Sequence, residues 1–458
     1  MNIKIEKDNK VDYIIGAAII VVSIIGVFPI GDFKLFGIVM TYYRLLVPLF
    51  LAFYIVEGFA NRRWSTIAKN KLLVIGMLIA IVWIIYGCIQ IIANNTISDK
   101  ENLKELMTLA IGFVSIGLIV RSLQDPRSFQ YMIYALKSIY CGLILLGLIE
   151  MITGWHLYTS QYCDLQQIEY YNQLHPLEPI DKFVSYNATG IFYGPNDFAA
   201  FLAIFAPLFL KHEIRKISNI FNTAVLLAAF LLIIRNDAWI TFIALLIGLI
   251  VYIILTHAKL SNVLIKAAGI YLIYRWGVKA FYTLIMKGYE LFLPYRTIPE
   301  GIKVAVQGTG TVETVVAAQV GGMNEGYGSL FLRINTYLEG IKETFTKTYG
   351  LGFGPNGFSR YFSEYAIAPV LANPHCLWLE IFSQYGIIIF SLYVGYLIYI
   401  YIKLIKLYLQ ERCVEYAVII AMDTVLVFAS FSPSTFLAYA YQWILIAWTL
   451  SFVVRRRI

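Results

Sequence analysis

Two side chains in the second half of the chain have the types and the setting needed for chemistry on an anion. Arg333 lies in a stretch whose apolar residues recur at helical spacing, and it shares a face with Tyr337. The paired N–H donors of this arginine could hold an anion. The position of Arg333 on the helix is explained more simply, however, by a side chain that extends to lipid head groups. His375 stands directly before an apolar run and could act as a base, since the ordinary pKa of histidine is about 6.5. An interfacial histidine without a chemical role fits that position equally well.

A glycine-rich stretch lies between these two residues, at 350–357. Gly352, Gly354 and the glycine at 357 formally match G-x-G-x-x-G, but no βαβ pattern surrounds them, so a dinucleotide site is not indicated. The composition predicts a tight turn with Asn356 as a helix cap. Its bare N–H groups could hold a phosphate, or the turn could be purely structural.

Three further charged residues lie within or beside apolar runs and are therefore candidate site residues. Arg44 falls near the middle of an apolar run, and charge inside a membrane is a functional hypothesis by default, although a span that starts near Thr41 would place Arg44 closer to the surface. Arg235 opens a tight turn, where it could face an anion or pair with Asp237. Glu380 follows His375 by five residues. The motifs of nucleotide hydrolysis, metal-held nucleotide sugars, zinc proteases and serine hydrolases are absent from the sequence, and no C-x-x-C occurs, so neither a cofactor nor a metal is predicted.

The elements that must position these residues are membrane helices. Of the 458 residues, 59% are hydrophobic and only 14% are charged, whereas a soluble domain carries about 25% charge. Apolar runs long enough to cross a bilayer recur throughout, which predicts an all-α polytopic membrane protein. The net charge of +8 lies mostly in short loops, so nucleic acid is not an expected partner, and membrane lipids are.

Twelve spans are predicted, and the first is interpreted as a retained helix because no small-residue cleavage site follows it. They are about 12–30, 36–59, 72–92, 106–120, 131–152, 191–210, 219–234, 240–256, 260–276, 376–402, 415–430 and 436–453. With the N-terminus inside, nineteen lysines and arginines fall in inner segments and five in the outer loops other than the largest one. This asymmetry predicts a multi-pass protein of the bacterial inner membrane with both termini in the cytoplasm.

The longest connection, about 277–375, is predicted to be a partly helical extracytoplasmic loop that folds against the membrane. A second outer loop covers about 153–190. The chain accordingly divides into N-terminal helices with the first outer loop (1–190), a core that includes the large loop (191–402), and C-terminal helices (403–458).

Three segments resemble motifs of the bacterial O-antigen ligase and polysaccharide polymerase family. The segment 194–199 (GPNDFA), which contains Asn196, resembles the N-P-N-x-F-A opening of a span. Arg333 with 350–358 (GLGFGPNGF) is similar to the R-x(n)-G-x-G-x-x-x-F segment of a large outer loop, and 374–386 (PHCLWLEIFSQYG) is similar to H-N-x-x-L…E-x-G-x-x-G. The order and spacing agree, but Arg235 is displaced from the family's Ser-Arg pair, and Cys376 replaces the usual Asn or Ser.

The resemblance implies a GT-C-like glycosyltransferase that uses an undecaprenyl-diphosphate-linked glycan outside the cytoplasmic membrane, without nucleotide or metal. Arg333 is then expected to neutralise the diphosphate, helped by Arg235 or Arg44. His375 is expected to act as base or to orient the acceptor. The remaining expected contacts to diphosphate or glycan are Gly352, Gly354, Asn356, Asn196 and Glu380.

Three functions stay open at this point. A polymerase joins repeat units, and it is favoured because no extra acceptor-binding domain is visible. A ligase would move finished glycan to lipid A core or another envelope acceptor. A polysaccharide-precursor transporter or flippase is the alternative from another class, although transporters usually show repeated halves and lack so long an outer loop. Polysaccharide-export proteins are the expected protein partners.

Overall fold

The computed structural model describes residues 10–35, 37–61, 70–123, 126–165, 168–169, 187–210, 216–256, 329–365, 371 and 373–454. These residues form thirteen α-helices, two short 3₁₀ turns and one two-stranded hairpin. The predicted all-α class is therefore confirmed for this part of the chain, apart from the hairpin.

The N-terminal helices follow the predicted spans closely, except at the second. The elements are α1 (Lys10–Ile25), β1 (Pro29–Leu35), β2 (Ile38–Thr41), α2 (Tyr42–Asn61), α3 (Lys71–Ala93), α4 (Lys100–Ser122) and α5 (Pro126–Thr153). The second span was expected to begin at 36, but an antiparallel hairpin occupies its first residues. Arg44 consequently lies in the first turn of α2 instead of the middle of a span.

The second half contains the elements that carry the motifs. They are α6 (Pro195–Phe205) with a 3₁₀ turn (Ala206–Phe209), α7 (Lys216–Arg235), α8 (Trp239–Thr256), α9 (Ser329–Thr348), α10 (Gly357–Tyr365), α11 (Leu377–Glu411), α12 (Val414–Ala429) and α13 (Ala440–Val454). The predicted span 260–276 and most of the large loop lie outside the described residues.

Six described helices are long and apolar enough to cross a membrane, which makes this a multi-pass membrane protein. They are Lys71–Ala93, Lys100–Ser122, Arg127–Thr153, Ser218–Arg235, Trp239–Thr256 and Leu377–Glu411. Shorter apolar helices occur at Ile14–Ile25, Pro195–Phe209 and Ala440–Val454. The count of twelve spans and the direction of the termini stay predictions.

Small residues allow the helices to approach closely, as is common in membranes, where apolar burial alone does not drive association. Gly248 of α8 packs against Val425 of α12, and a Cβ at Gly248 would lie 3.0 Å from the Ala421 carbonyl oxygen. Gly112 of α4 packs on the Trp443 indole of α13 in the same way. These contacts join α8 to α12 and α4 to α13.

The helix α9 packs with its polar and small face inward, while its apolar stripe is exposed. Ile334, Ile341 and Phe345 are 46%, 44% and 50% exposed. The opposite face, with Arg333 and Gly340, is buried against α11. A stripe of this kind suits lipid, and the arrangement turns Arg333 toward the protein.

Candidate active site

The connection between α12 and α13, residues 430–439, is where the motif-bearing segments meet. We call it the α12–α13 connection. Its backbone is bound from several directions, by α9, by the residues before α11, by α11 itself and by α6. Since these elements are far apart in sequence, the connection is the structural centre of the candidate site.

Arg333 binds this connection through carbonyl oxygens. Its Nη1 donates to the Phe431 carbonyl at 2.7 Å and approaches the Ser432 carbonyl at 3.3 Å. Arg333 is only 7% exposed, and among the described residues no carboxylate forms an ion pair with it. A buried cation surrounded by neutral dipoles lacks its countercharge, and such a site favours an anionic ligand.

His375 lies next to Arg333 and is held by its backbone. Its N–H donates to the Ser434 carbonyl at 3.0 Å, and its own carbonyl accepts the Tyr337 hydroxyl at 3.0 Å. The backbone is left-handed here, with φ of 49°. Within the described structure, the buried Nδ1 atom has no hydrogen-bond partner. The imidazole is therefore fixed in place with one ring nitrogen uncommitted.

The charge state of His375 follows from this setting. Burial, and then the positive charge of Arg333, lower the pKa of His375 to about 3, although the Ser432 backbone opposes the shift. The imidazole is neutral at physiological pH and can accept a proton. Burial also raises the pKa of the Cys376 thiol to about 12, so the neighbouring cysteine is not a thiolate nucleophile.

This low pKa predicts that stability falls with acidity. The unfolded chain takes up a proton at His375 below about pH 6.5, whereas the folded chain does so only near pH 3, so the free energy of unfolding should fall as the pH drops through that window. The slope from this group is at most about 1.4 kcal/mol per pH unit. Thermal melting of wild type and His375→Asn at pH 7, 5.5 and 4 checks it. The variant should lose less stability than wild type, and equal losses would refute the assignment.

Glu380 and Asn196 also bind the α12–α13 connection, from α11 and α6. The buried Glu380 Oε2 accepts the backbone N–H of Phe436 at 2.7 Å and of Leu437 at 3.3 Å. The Ser432 hydroxyl donates to Asn196 Oδ1 at 3.4 Å. Both side chains therefore help to position the connection, and the substrate contact expected of them stays a prediction.

Asp197 is a residue of this site that sequence reasoning missed. Its Oδ2 accepts the Gly194 N–H at 2.9 Å, which closes the first turn of α6. The Tyr439 hydroxyl and the Ser434 backbone approach the same carboxylate. Asp197 is 3% exposed and thus joins the start of α6 to the α12–α13 connection. Asp197 lies within the motif G-P-N-D-F, in which only the preceding residue, Asn196, was identified as a candidate.

The glycine-rich stretch does not leave its amides free for a phosphate. Each donates to a protein acceptor: Gly352 N to Thr348 Oγ1 (3.0 Å), Phe353 N to Ser383 O (2.8 Å), Gly354 N to Gln384 O (2.8 Å), Asn356 N to Glu105 Oε2 (2.7 Å) and Gly357 N to Gly354 O (2.9 Å). These bonds attach the stretch to the protein, and the contact to diphosphate or glycan expected of Gly352, Gly354 and Asn356 stays a prediction.

The partner of this stretch is a break in α11 at Gly386, where φ is 73° and ψ is 179°. The break frees carbonyls that a continuous helix would use, and the glycine stretch binds them as an added backbone segment. Side chains of α3 and α4 complete the attachment through Tyr86, Gln90, Asn94 and Glu105. Glu105 also accepts the Tyr385 hydroxyl at 2.7 Å. The N-terminal helices thereby hold the segment that leads from Arg333 to His375.

Gly352→Ala should be strongly destabilising. The residue has φ of +86°, and a Cβ there would lie 2.6 Å from Gly386 N and collide with the Gln384 carbonyl. We expect a loss of about 2 kcal/mol or more, seen as a lower midpoint of thermal unfolding in detergent. Gly395→Ala in α11 is the matched control, because open space surrounds it and alanine favours a helix. Similar midpoints for the two variants would show that the backbone contact is unimportant.

Arg44 and Arg235, the other two candidate arginines, have different surroundings. Arg44 donates from Nη1 to the Val39 carbonyl at 2.8 Å and from Nη2 to the Thr108 hydroxyl at 3.4 Å, which ties α2 to the hairpin and α4. Arg235 ends α7 near Tyr162. Its neighbour Asn236 donates to the Pro195 carbonyl at 3.1 Å, directly before Asn196. Arg235 therefore stands close to the start of α6, whereas Arg44 serves a different set of contacts.

Comparison with known proteins agrees with the resemblance drawn from the motifs. No family model matches the chain. The chain is similar to the "Teichuronic acid biosynthesis protein TuaE" of Bacillus subtilis (strain 168), with 26% identity over 444 residues. The aligned region covers 93% of this chain and 80% of the relative. The likeness therefore extends over nearly the whole chain, and it is a likeness to a protein named for the biosynthesis of a cell-wall polysaccharide, in agreement with the motifs.

Proposed function

We propose that this protein makes a cell-envelope polysaccharide by transferring glycan from an undecaprenyl-diphosphate carrier at the outer face of the cytoplasmic membrane. The observation that carries the proposal is the pair formed by Arg333 and His375. Among the described residues, a buried guanidinium without a carboxylate partner stands beside a neutral imidazole whose Nδ1 has no hydrogen-bond partner. That pair suits a reaction in which an anion leaves and a hydroxyl loses its proton.

The proposed step is a single displacement at the anomeric carbon of the donor sugar. The acceptor hydroxyl oxygen forms the new bond, the bond from that carbon to the diphosphate oxygen breaks, and the configuration inverts. The diphosphate leaves with the bonding electron pair and is stabilised by Arg333. The hydroxyl proton passes to His375. No metal or nucleotide takes part in this scheme.

The two residues are coupled through charge. Arg333 lowers the pKa of His375 in the free protein. A diphosphate bound at Arg333 offsets that positive charge and so makes His375 a stronger base. Proton acceptance by His375 is thereby favoured when the donor is in place.

Arg235 is a better candidate than Arg44 for the second arginine that binds the diphosphate. The Arg235 turn contacts the residue before Asn196, and Asn196 binds the α12–α13 connection. Arg44 already holds the hairpin and α4 together. Arg235 is therefore proposed as the helper, at the end of the bundle that the lysine and arginine asymmetry puts outside.

Within this function we favour a polymerase that joins repeat units. The relative named for teichuronic acid biosynthesis supports a role in cell-wall polysaccharide synthesis without separating the steps. The lipid-linked glycans of a deletion strain separate them. A polymerase defect leaves single repeat units on the carrier, whereas a ligase defect leaves full-length chains there. A flippase defect would leave repeat units inaccessible from outside the membrane, which would refute the transferase proposal.

A further inference from the structure

The α12–α13 connection carries side chains that the proposed step does not use. Its backbone is occupied, since carbonyls or amides of Phe431, Ser432, Ser434 and Phe436 bind residues from other elements. Ser434 and Thr435, in contrast, are half-buried with their hydroxyl groups without a hydrogen-bond partner among the described residues. Two adjacent hydroxyls are thus held on a rigid support and left available.

The backbone of Ser434 lies beside the reacting pair. The Ser434 carbonyl accepts the His375 N–H at 3.0 Å, and the carbonyls of Ser432 and Phe431 on the same connection bind Arg333. Neutral hydroxyls both donate and accept, which suits a polyhydroxylated ligand better than it suits an anion alone.

An aromatic ring completes the surface. Tyr439 is half-buried, and its ring stacks on Tyr441 with centroids 5.4 Å apart and an interplanar angle of 16°. Phe192 supports it from the edge at 5.8 Å. The Tyr439 hydroxyl approaches Asp197, which also faces the Ser434 backbone. Aromatic faces with a few fixed polar groups are the usual lining of sites for neutral organic ligands.

We propose that Ser434, Thr435 and Tyr439 form a glycan-binding subsite that holds the acceptor sugar next to His375. The subsite rests on the proposed function for its purpose, because an acceptor hydroxyl must be delivered to the base. Its recognition is neutral, through the two hydroxyls and the ring. It also explains why Arg333, His375, Glu380 and Asn196 all bind the same connection, since a sugar positioned there is positioned relative to each of them.

The test is direct binding to the full-length protein in lipid nanodiscs. The probe is the repeat-unit oligosaccharide released from the host's own envelope polysaccharide and labelled at its reducing end, with Kd read by fluorescence anisotropy. Ser434→Ala with Thr435→Val removes both hydroxyls and leaves every backbone contact in place. We expect Kd to rise about tenfold or more, since a neutral hydrogen bond contributes about 0.5–1.5 kcal/mol, or 2- to 12-fold. Thr435→Ser, which keeps the hydroxyl, should stay near wild type.

Two controls separate recognition from folding. Ser451→Ala removes a hydroxyl that donates to the Ala447 carbonyl of its own helix, α13, so its Kd should not change. Tyr439→Phe should bind more tightly than Tyr439→Leu, because only the former keeps the ring. Unchanged Kd in the double variant, or wild type that does not bind the oligosaccharide, overturns the subsite.

The failure of the subsite and the failure of the proposed function give different results. If wild type binds through these hydroxyls but transfers no glycan from a lipid-linked donor, the subsite stands and the transferase proposal fails. If wild type transfers glycan and the double variant has unchanged acceptor KM, the subsite alone fails. A higher KM with kcat altered less than twofold is the kinetic result that we expect.

Discussion

Arg333→Gln is expected to lower the rate of glycan transfer by about 100- to 1,000-fold, the effect of losing one preorganised group that stabilises a leaving anion. Glutamine keeps an N–H₂ donor for the Phe431 carbonyl, so the α12–α13 connection retains a partner while the positive charge is lost. Transfer is measured as the initial rate of repeat-unit joining by purified protein in proteoliposomes. The loss should lie mainly in kcat, because the charge on the diphosphate develops as the bond breaks.

Arg333→Lys is the informative companion. It keeps the charge but replaces the planar fork with a point charge, so an intermediate rate is expected. Both variants should melt within a few degrees of wild type. If Arg333→Gln transfers glycan at the wild-type rate while folded, Arg333 does not stabilise the leaving group.

His375→Asn is expected to lower the transfer rate by about 100- to 10,000-fold, the usual contribution of a positioned base. Asparagine is the appropriate replacement because His375 has φ of 49°, and asparagine tolerates the left-handed region better than alanine does. The backbone bonds to Ser434 and Tyr337 use main-chain atoms and should survive the change. The measurement is again kcat in proteoliposomes.

His375→Ala provides the comparison for strain. It removes the same ring but places a residue ill-suited to positive φ, so it should melt lower than His375→Asn and be equally inactive. A His375→Asn protein that joins repeat units at a near-normal rate would show that His375 is not the base.

The sequence predicted the membrane helices well where a continuous apolar run decided the matter. The predicted span 72–92 corresponds to α3 (Lys71–Ala93), because nothing in that run competes with a helix in lipid. The second span starts later than the predicted residue 36, since a hairpin replaces its first part, and Arg44 lies near the N-terminal end of the helix as the alternative start near Thr41 implied. Strand pairing between neighbouring short segments is not visible in hydropathy, which is similar for a strand and for a helix of that length.

The candidate site was predicted only in part. Arg333 and His375 were identified and do lie together, but the α12–α13 connection that unites them was not. Its bonds run through backbone atoms, which every residue possesses, so side-chain types carry no signal for them. Glu105 lay at the edge of a predicted span, and only the folded chain brings it to Asn356 and Tyr385.

For the glycine-rich stretch, the sequence predicted the turn but not the segment that it binds. Glycines at 350, 352 and 354 predicted a turn, and the positive φ values of 78°, 86° and 88° agree with that. The identity of its partner, the broken helix at Gly386, depends on long-range packing that a local pattern does not contain. A turn that binds carbonyls and a turn that binds phosphate have the same local sequence requirements.

The most direct test of the central claim is reconstitution with the organism's own undecaprenyl-diphosphate-linked repeat unit. Purified wild type in proteoliposomes, with a chelator present and no ion gradient, should convert single repeats into a ladder of longer lipid-linked chains. Arg333→Gln at equal protein concentration should leave the repeats single. Wild type that yields no longer chains, or Arg333→Gln that yields the same ladder at the same rate, would contradict the account.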